Sequence, residues 1–195
     1  MDRSEPVFIG PVCVGKTTVS KLVAAHLERP RVELDEVAMP YYEDCPVFDP
    51  REYNRLLETA GFVAAYRYWE PASVYALEGV VNDHSGAVLD LGAGHTSLLD
   101  DRFHTRISAA LASYEHVILL LPDTDPERSA AVIRHRLMVD DDRDSTDWIH
   151  DGVDFVRHWI VSDQNRRLAT HTIYTGDDPP DAVTMRVIDL LGGSS

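Results

Sequence analysis

Cysteine is scarce in this chain. Its 195 residues include two, Cys13 and Cys45. Two lone cysteines build no disulfide framework and suit a reducing, cytoplasmic location. Long apolar runs are also missing. None reaches bilayer-spanning length, and the opening Met1-Asp2-Arg3-Ser4-Glu5 is no signal peptide, so no membrane partner is expected. Basic residues are outnumbered: 18 Lys and Arg face 33 Asp and Glu, for a net charge of −15. A phosphate backbone needs clustered cations, so this balance argues against a nucleic-acid partner. It does not argue against ATP, whose site needs only a few local cations. The remainder is ordinary, with 44% hydrophobic and 26% charged residues and a length that fits one α/β domain.

Against that background one stretch stands out. Gly10-Pro11-Val12-Cys13-Val14-Gly15-Lys16-Thr17 reads G-x-x-x-x-G-K-T, the phosphate-binding loop pattern. The glycines let the backbone curl so that successive N–H groups point at phosphate oxygens. Lys16 reaches the β- and γ-phosphates, and the Thr17 hydroxyl ligates Mg²⁺. Apolar Val7-Phe8-Ile9 before the loop reads as a strand. Thr18 to Glu28 after it reads as a helix, with Val19, Leu22, Val23 and Leu27 on one face. The expected nucleotide-binding set is Gly10, Val12, Cys13, Val14, Gly15, Lys16, Thr17 and Thr18, with ATP and Mg²⁺ as cofactors.

The chain then alternates strands and helices. Arg31 to Leu34 reads as a second strand ending in Glu33 and Asp35, where metal and substrate meet in open α/β sheets. Residues 37 to 50 read as an irregular Pro- and aromatic-rich loop. Asp49-Pro50 starts a helical stretch reaching Trp69 and resuming from Pro71 to Val81. Together 37–81 form an acceptor-side insertion. Ala87 to Leu91 is an apolar strand carrying Asp90, which resembles a Walker B acid and joins Thr17 and Glu33 as a metal-site candidate. Gly92-Ala93-Gly94 permits close approach of a ligand. His95 reads either as an acceptor hydrogen-bonder or as a loop histidine without a role. His116 to Leu121 is another buried strand. The helix after it carries Arg128, Arg134 and Arg136, and Asp140-Asp141-Asp142-Arg143-Asp144 reads as a solvated loop. Residues 147 to 169 read as a long helical region, followed by a strand at His171–Tyr174 and a closing helix. The expected fold is a three-layer α/β/α sandwich on a five-stranded parallel sheet, a P-loop NTPase of the nucleoside-monophosphate-kinase kind in a single domain, 1–195.

These residues also resemble the shikimate kinase family across nearly the whole chain. That family places a D-x-D pair after the phosphate loop, where Glu33 and Asp35 stand here. Its G-E-x-x-F-R-x-x-E segment is similar to Gly61 through Glu70, and its glycine triplet to Gly92-Ala93-Gly94. The resemblance implies catalytic roles for Lys16, Asp35 and a lid arginine, Arg136, at the start of a lid-like region at about 137–160. It implies an acceptor site of Asp35, Arg67, Gly92, Ala93, Gly94 and Arg157, with the arginines gripping an anionic group, and His95 joins that set on the first of its two readings. Glu33 replaces the first Asp, Phe62 replaces the Glu after Gly61, and Ala93 the middle glycine. The implied activity is transfer of the γ-phosphoryl of ATP to a hydroxyl of a small, anionic acceptor by a monomer or homodimer. A nucleoside or nucleotide kinase, and a regulatory NTPase without a small acceptor, remain alternatives.

Overall fold

The structure is a computed structural model that describes residues 3–139 and 148–192. The run 140–144 lies outside them, as does part of the lid-like region. The core is a parallel five-stranded sheet of β1 (Val7–Ile9), β2 (Arg31–Glu33), β3 (Val88–Asp90), β4 (Val117–Leu121) and a last strand at His171–Tyr174. Its order is β2, β3, β1, β4, last strand. Parity along each strand decides the layers. Val7, Ile9, Leu89, Val117 and Leu119 face one apolar cluster, while Phe8, Val88, Ile118 and Leu120 face the other. Both faces of the sheet are therefore covered, which is why its strands read as continuous apolar runs.

On the second face lies α1 (Lys16–His26), which begins directly from the phosphate loop. Register fixes the carboxyl edge beside it. Phe8 pairs with Asp90, and Glu33 pairs with Asp90 from the other side. Asp90 shares the parity of Val88, so it points toward α1 rather than into the first cluster.

The expected loop at 37–50 is mostly helix: α2 spans Leu34–Asp44 with Pro40 inside it. Leu34, Val37, Ala38, Tyr41 and Tyr42 recur at i, i+3, i+4, i+7 and i+8 and pack on the first cluster. Pro40 and Glu36, whose carbonyl loses its helical donor, are both exposed, so water can satisfy that carbonyl. Next come α3 (Pro50–Ala60) and α4 (Phe62–Asp83), separated at Gly61, whose φ of 90° breaks the helical path. A short helix, α5 (Ala93–Thr96), follows β3, then α6 (His104–Leu111) and α7 (Pro126–Val139).

The long helix expected at 147–169 is also corrected. That region is a hairpin of β5 (Ile149–His150) and β6 (Val153–Asp154), then α8 (Phe155–Val161) and α9 (Asp163–Leu168). Asp151 and Gly152 both have positive φ, 49° and 80°, the geometry that an Asp-Gly hairpin turn supplies. Ser162 then caps α9 by accepting from the Gln164 N–H. The hairpin docks on α4, where the Asp151 carboxylate accepts from the Val63 N–H at 2.8 Å and Phe62 stacks on His150. The last strand is β7 (His171–Tyr174), and α10 (Pro180–Gly192) closes the chain against α1.

Candidate active site

Two cavities open at the carboxyl edge of the sheet. The first, about 540 Å³, is bounded by the phosphate loop, the start of α1, the ends of β2 and β3, and Arg136 of α7. Gly15 sits at φ 101° with open space where a Cβ would stand, and no side chain caps α1. The uncapped N-terminus therefore opens on the cavity through Gly15, Lys16, Thr17 and Thr18, a donor set suited to phosphate. Lys16 is buried rather than facing solvent. Its ammonium donates to the Gly10 and Pro11 carbonyls at 3.1 and 3.0 Å. Burial pulls its pKa down, while Asp90 and Asp35 oppose that shift. Arg136 donates to the Cys13 carbonyl at 3.1 Å and so covers the loop.

Behind the lysine lies a compact charge network. Thr17 donates to Glu33 at 3.3 Å, and Arg31 pairs with both Glu33 and Asp90. Ser20 donates to Asp90 at 3.1 Å. Asp90 is almost fully buried, which pushes its carboxyl above the usual range against the pull of Lys16. Among the described residues no group of three or more His, Cys, Asp or Glu side chains is placed to hold a metal. One hydroxyl and two carboxylates beside a phosphate cradle are nonetheless a donor set for Mg²⁺ that arrives with a nucleotide, since this ion keeps waters and takes phosphate ligands.

The second cavity, about 640 Å³, adjoins the first. Val12, Asp35 and Ala93 line both. Asp35, at the start of α2, has a carboxylate 60% exposed where the two spaces meet. Close approach explains Gly92: a Cβ there would collide with that carboxylate. His95 is buried beside it, with Nδ1 3.5 Å from Asp35 Oδ1 and Nε2 2.7 Å from the Tyr42 hydroxyl. Desolvation pushes the His95 pKa down to about 3, so the imidazole is neutral. The walls are rings from α2, α4, α8 and the hairpin, including Tyr42, Phe62, Tyr66, Trp69, Trp148 and Trp159. Gly94 lies close under Trp69 and Tyr66, so here the glycines make room for the protein's own side chains.

No family profile matches the chain, and no curated protein matches it. Solved structures do. The Acinetobacter baumannii shikimate kinase in complex with shikimate aligns over 98% of this chain and 94% of its own, at 17% identity and TM-score 0.62. The Aquifex aeolicus shikimate kinase aligns over 97% and 96%, at 18% identity and TM-score 0.59. A gluconokinase from Sinorhizobium meliloti aligns over 99% and 94%, at 13% identity and TM-score 0.55. This chain has the shikimate kinase fold. The five-stranded parallel sheet and flanking helices expected from the sequence are those of that P-loop architecture.

Within this shikimate kinase fold the expected residues separate into two groups. Loop residues Val12, Cys13, Gly15, Lys16, Thr17 and Thr18, the acids Glu33, Asp35 and Asp90, and Arg136 converge on the first cavity. Gly10 accepts from Lys16, and Val14 is buried beneath the loop. Asp35, Ala93, Gly94 and His95 line the second cavity. Arg67 and Arg157 are not brought there. Arg67 is exposed on α4, and its charge acts on Glu70 and Asp100. Arg157 is exposed and paired with Glu127. Glu70 is buried and accepts from the Leu99 and Asp100 N–H groups, pinning the segment after α5.

Several site residues were not anticipated. Arg31 stands two residues before Glu33 on β2, and period-two alternation puts both on one face. Ser20 follows Thr17 by one helical turn. Both signals were present. Part of the ring lining carried a signal too, since Phe62, Tyr66 and Trp69 recur on one face of α4 within the expected acceptor-side insertion, whereas Trp148 and Trp159 join them from a distant segment.

Proposed function

We propose that this protein is an ATP-dependent kinase that phosphorylates a hydroxyl of a small acceptor held in the second cavity. The observation carrying this reading is Asp35, an exposed carboxylate at the junction of a phosphate-cradling cavity and a ring-lined one. Mg²⁺–ATP supplies the transferable phosphoryl group. Loop N–H groups and Lys16 would hold phosphate oxygens, and Thr17, Glu33 and Asp90 would hold the ion, which would neutralise phosphate charge. Asp35 orients the acceptor hydroxyl and receives its proton as the new oxygen–phosphorus bond forms and the bond from the γ-phosphorus to the bridging oxygen breaks, releasing ADP. Neutral His95, whose Nε2 meets the Tyr42 hydroxyl, stands beside that carboxylate without adding a positive charge that would lower its basicity. Arg136 lies within reach of the loop to neutralise charge on the transferred group.

Among the described residues no helix is long and apolar enough to cross a membrane. With one cysteine half-buried in the loop and the other buried, we place the protein in the cytoplasm. The test is ADP release measured across polyols, sugar acids, nucleosides and aryl alcohols. Release that stays at the acceptor-free rate with every compound overturns the kinase reading and leaves a regulatory NTPase.

A further inference from the structure

We propose that the acceptor is an alcohol with a flat aromatic ring and no anionic group: an aromatic body, neutral or amine-bearing, that presents a hydroxyl to Asp35. This inference rests on the kinase reading and narrows it. The second cavity lies within the volume range of small-molecule sites, and rings dominate its walls. All three tryptophans of the chain, Trp69, Trp148 and Trp159, line it. Trp69 stands edge-on to His95 at 5.1 Å and near Tyr66 at 5.3 Å, so the rings form a continuous apolar wall. Tyr42, Phe62, Trp69 and Trp148 are only half-buried, leaving ring surface for a ligand to cover.

Charge points the same way. Among the described residues lining this cavity, none is Lys or Arg, and Asp35 carries the one formal charge because His95 is neutral. Ring faces present the negative side of their quadrupole, which attracts cations and repels anions. A carboxylate buried here would lose its hydration and meet the like charge of Asp35. An amine would gain from both. Asn54, at the rim, adds a neutral hydrogen-bonding group.

Four probes in two pairs test this: 2-amino-1-phenylpropane-1,3-diol against 3-phenyllactate, and cytidine against shikimate. Binding is read from tryptophan fluorescence, which the lining makes a direct reporter, and turnover from ADP release. The amino diol is expected to saturate the fluorescence change at a concentration at least ~10-fold below phenyllactate, and cytidine likewise below shikimate. Trp69→Leu should weaken amino-diol binding about 10-fold, with Trp69→Phe recovering much of it, as loss and return of stacking demand. Asp35→Asn should shrink the preference for amine over carboxylate about 10-fold. Shikimate or phenyllactate binding as tightly as its partner overturns the acceptor class, and ADP release with shikimate would then leave the kinase reading standing. Tight amino-diol and cytidine binding with no ADP release from any probe upholds the cavity's preference and overturns the kinase reading instead.

Discussion

The two cavities that share Asp35 are built in opposite ways. The nucleotide side is made of charges that already pair with the protein. Lys16 and Arg136 donate to loop carbonyls, and Arg31 sits between Glu33 and Asp90. The acceptor side is made of rings that need no such partners. A site of internally paired charges must exchange those pairs for phosphate and metal contacts on binding, so each charge has a defined task. A ring-lined site distributes binding over many contacts of which each contributes a little. Single substitutions should therefore be severe on one side and graded on the other.

The largest expected effect tests that division. Lys16→Met keeps the buried aliphatic stem and removes the ammonium. Phosphoryl transfer should fall by roughly 10³-fold or more, as for loss of a transition-state cation, while acceptor binding read by tryptophan fluorescence stays unchanged. The fold should persist, because Asp90 retains Ser20 and Arg31. A folded variant with near-normal turnover breaks the assignment of the loop.

At the junction, Asp35→Asn is expected to lower kcat by about 10²-fold, the lower range for a lost general base. The KM for ATP should move far less than kcat, since the phosphate cradle itself is made by the loop, Lys16, Thr17 and Thr18. A rise confined to the ATP KM, with kcat unmoved, would move Asp35 from the acceptor to the nucleotide.

How much of this division was legible in the chain follows the same line. Lys16, Thr17 and the strand-end acids could be placed in advance because the loop is contiguous and parallel strands end together. Asp35 could be placed because it follows Glu33 by two residues. The helix α2 was obscured by Pro40 and three neighbouring aromatic or apolar residues, although its i, i+3, i+4 stripe was present. The hairpin was obscured by the apolar residues of α8 that follow it, although Asp151-Gly152 marked the turn. The acceptor wall as a whole was out of reach for a different reason, although the insertion at 37–81 that supplies most of its rings was legible. Trp69, Trp148 and Tyr42 meet only after α2, α4 and the hairpin have packed, and no spacing in the sequence encodes that meeting.

A pH effect of intermediate size comes from His95. Its folded pKa, near 3, lies below the unfolded value of about 6.5, so the unfolded chain binds the extra proton between those values. Stability from this group is complete above about pH 6.5 and is lost as pH falls toward 3, by about 2 kcal/mol from pH 7 to pH 5. Asp90 shifts the opposite way, its carboxyl held above the usual range, so the wild type alone would blend the two. The difference in urea midpoint between wild type and His95→Gln, followed from pH 7 to pH 5, isolates the histidine. The gap should narrow as pH falls. A constant gap would mean that His95 is hydrated and titrates normally.

The smallest expected effect concerns Arg67, and it separates the acceptor chemistry seen in the cavity from the one implied by resemblance. If the acceptor were an anion gripped by Arg67, then Arg67→Lys would keep the charge, lose the planar fork and raise the acceptor KM by roughly tenfold. Arg67 is instead absent from the lining of the ring-walled space, exposed with its charge acting on Glu70 and Asp100. Glu70 does not depend on it, because two backbone N–H groups already satisfy that carboxylate. Both Arg67→Lys and Arg67→Ala should therefore change the acceptor KM by less than about twofold, the range of ordinary surface substitutions, with the ATP KM unmoved. The pair of variants matters. A tenfold rise in Arg67→Ala that Arg67→Lys rescues would show a long-range charge reaching the acceptor. A tenfold rise in both would show the fork itself in contact, and would return the acceptor to the anionic class.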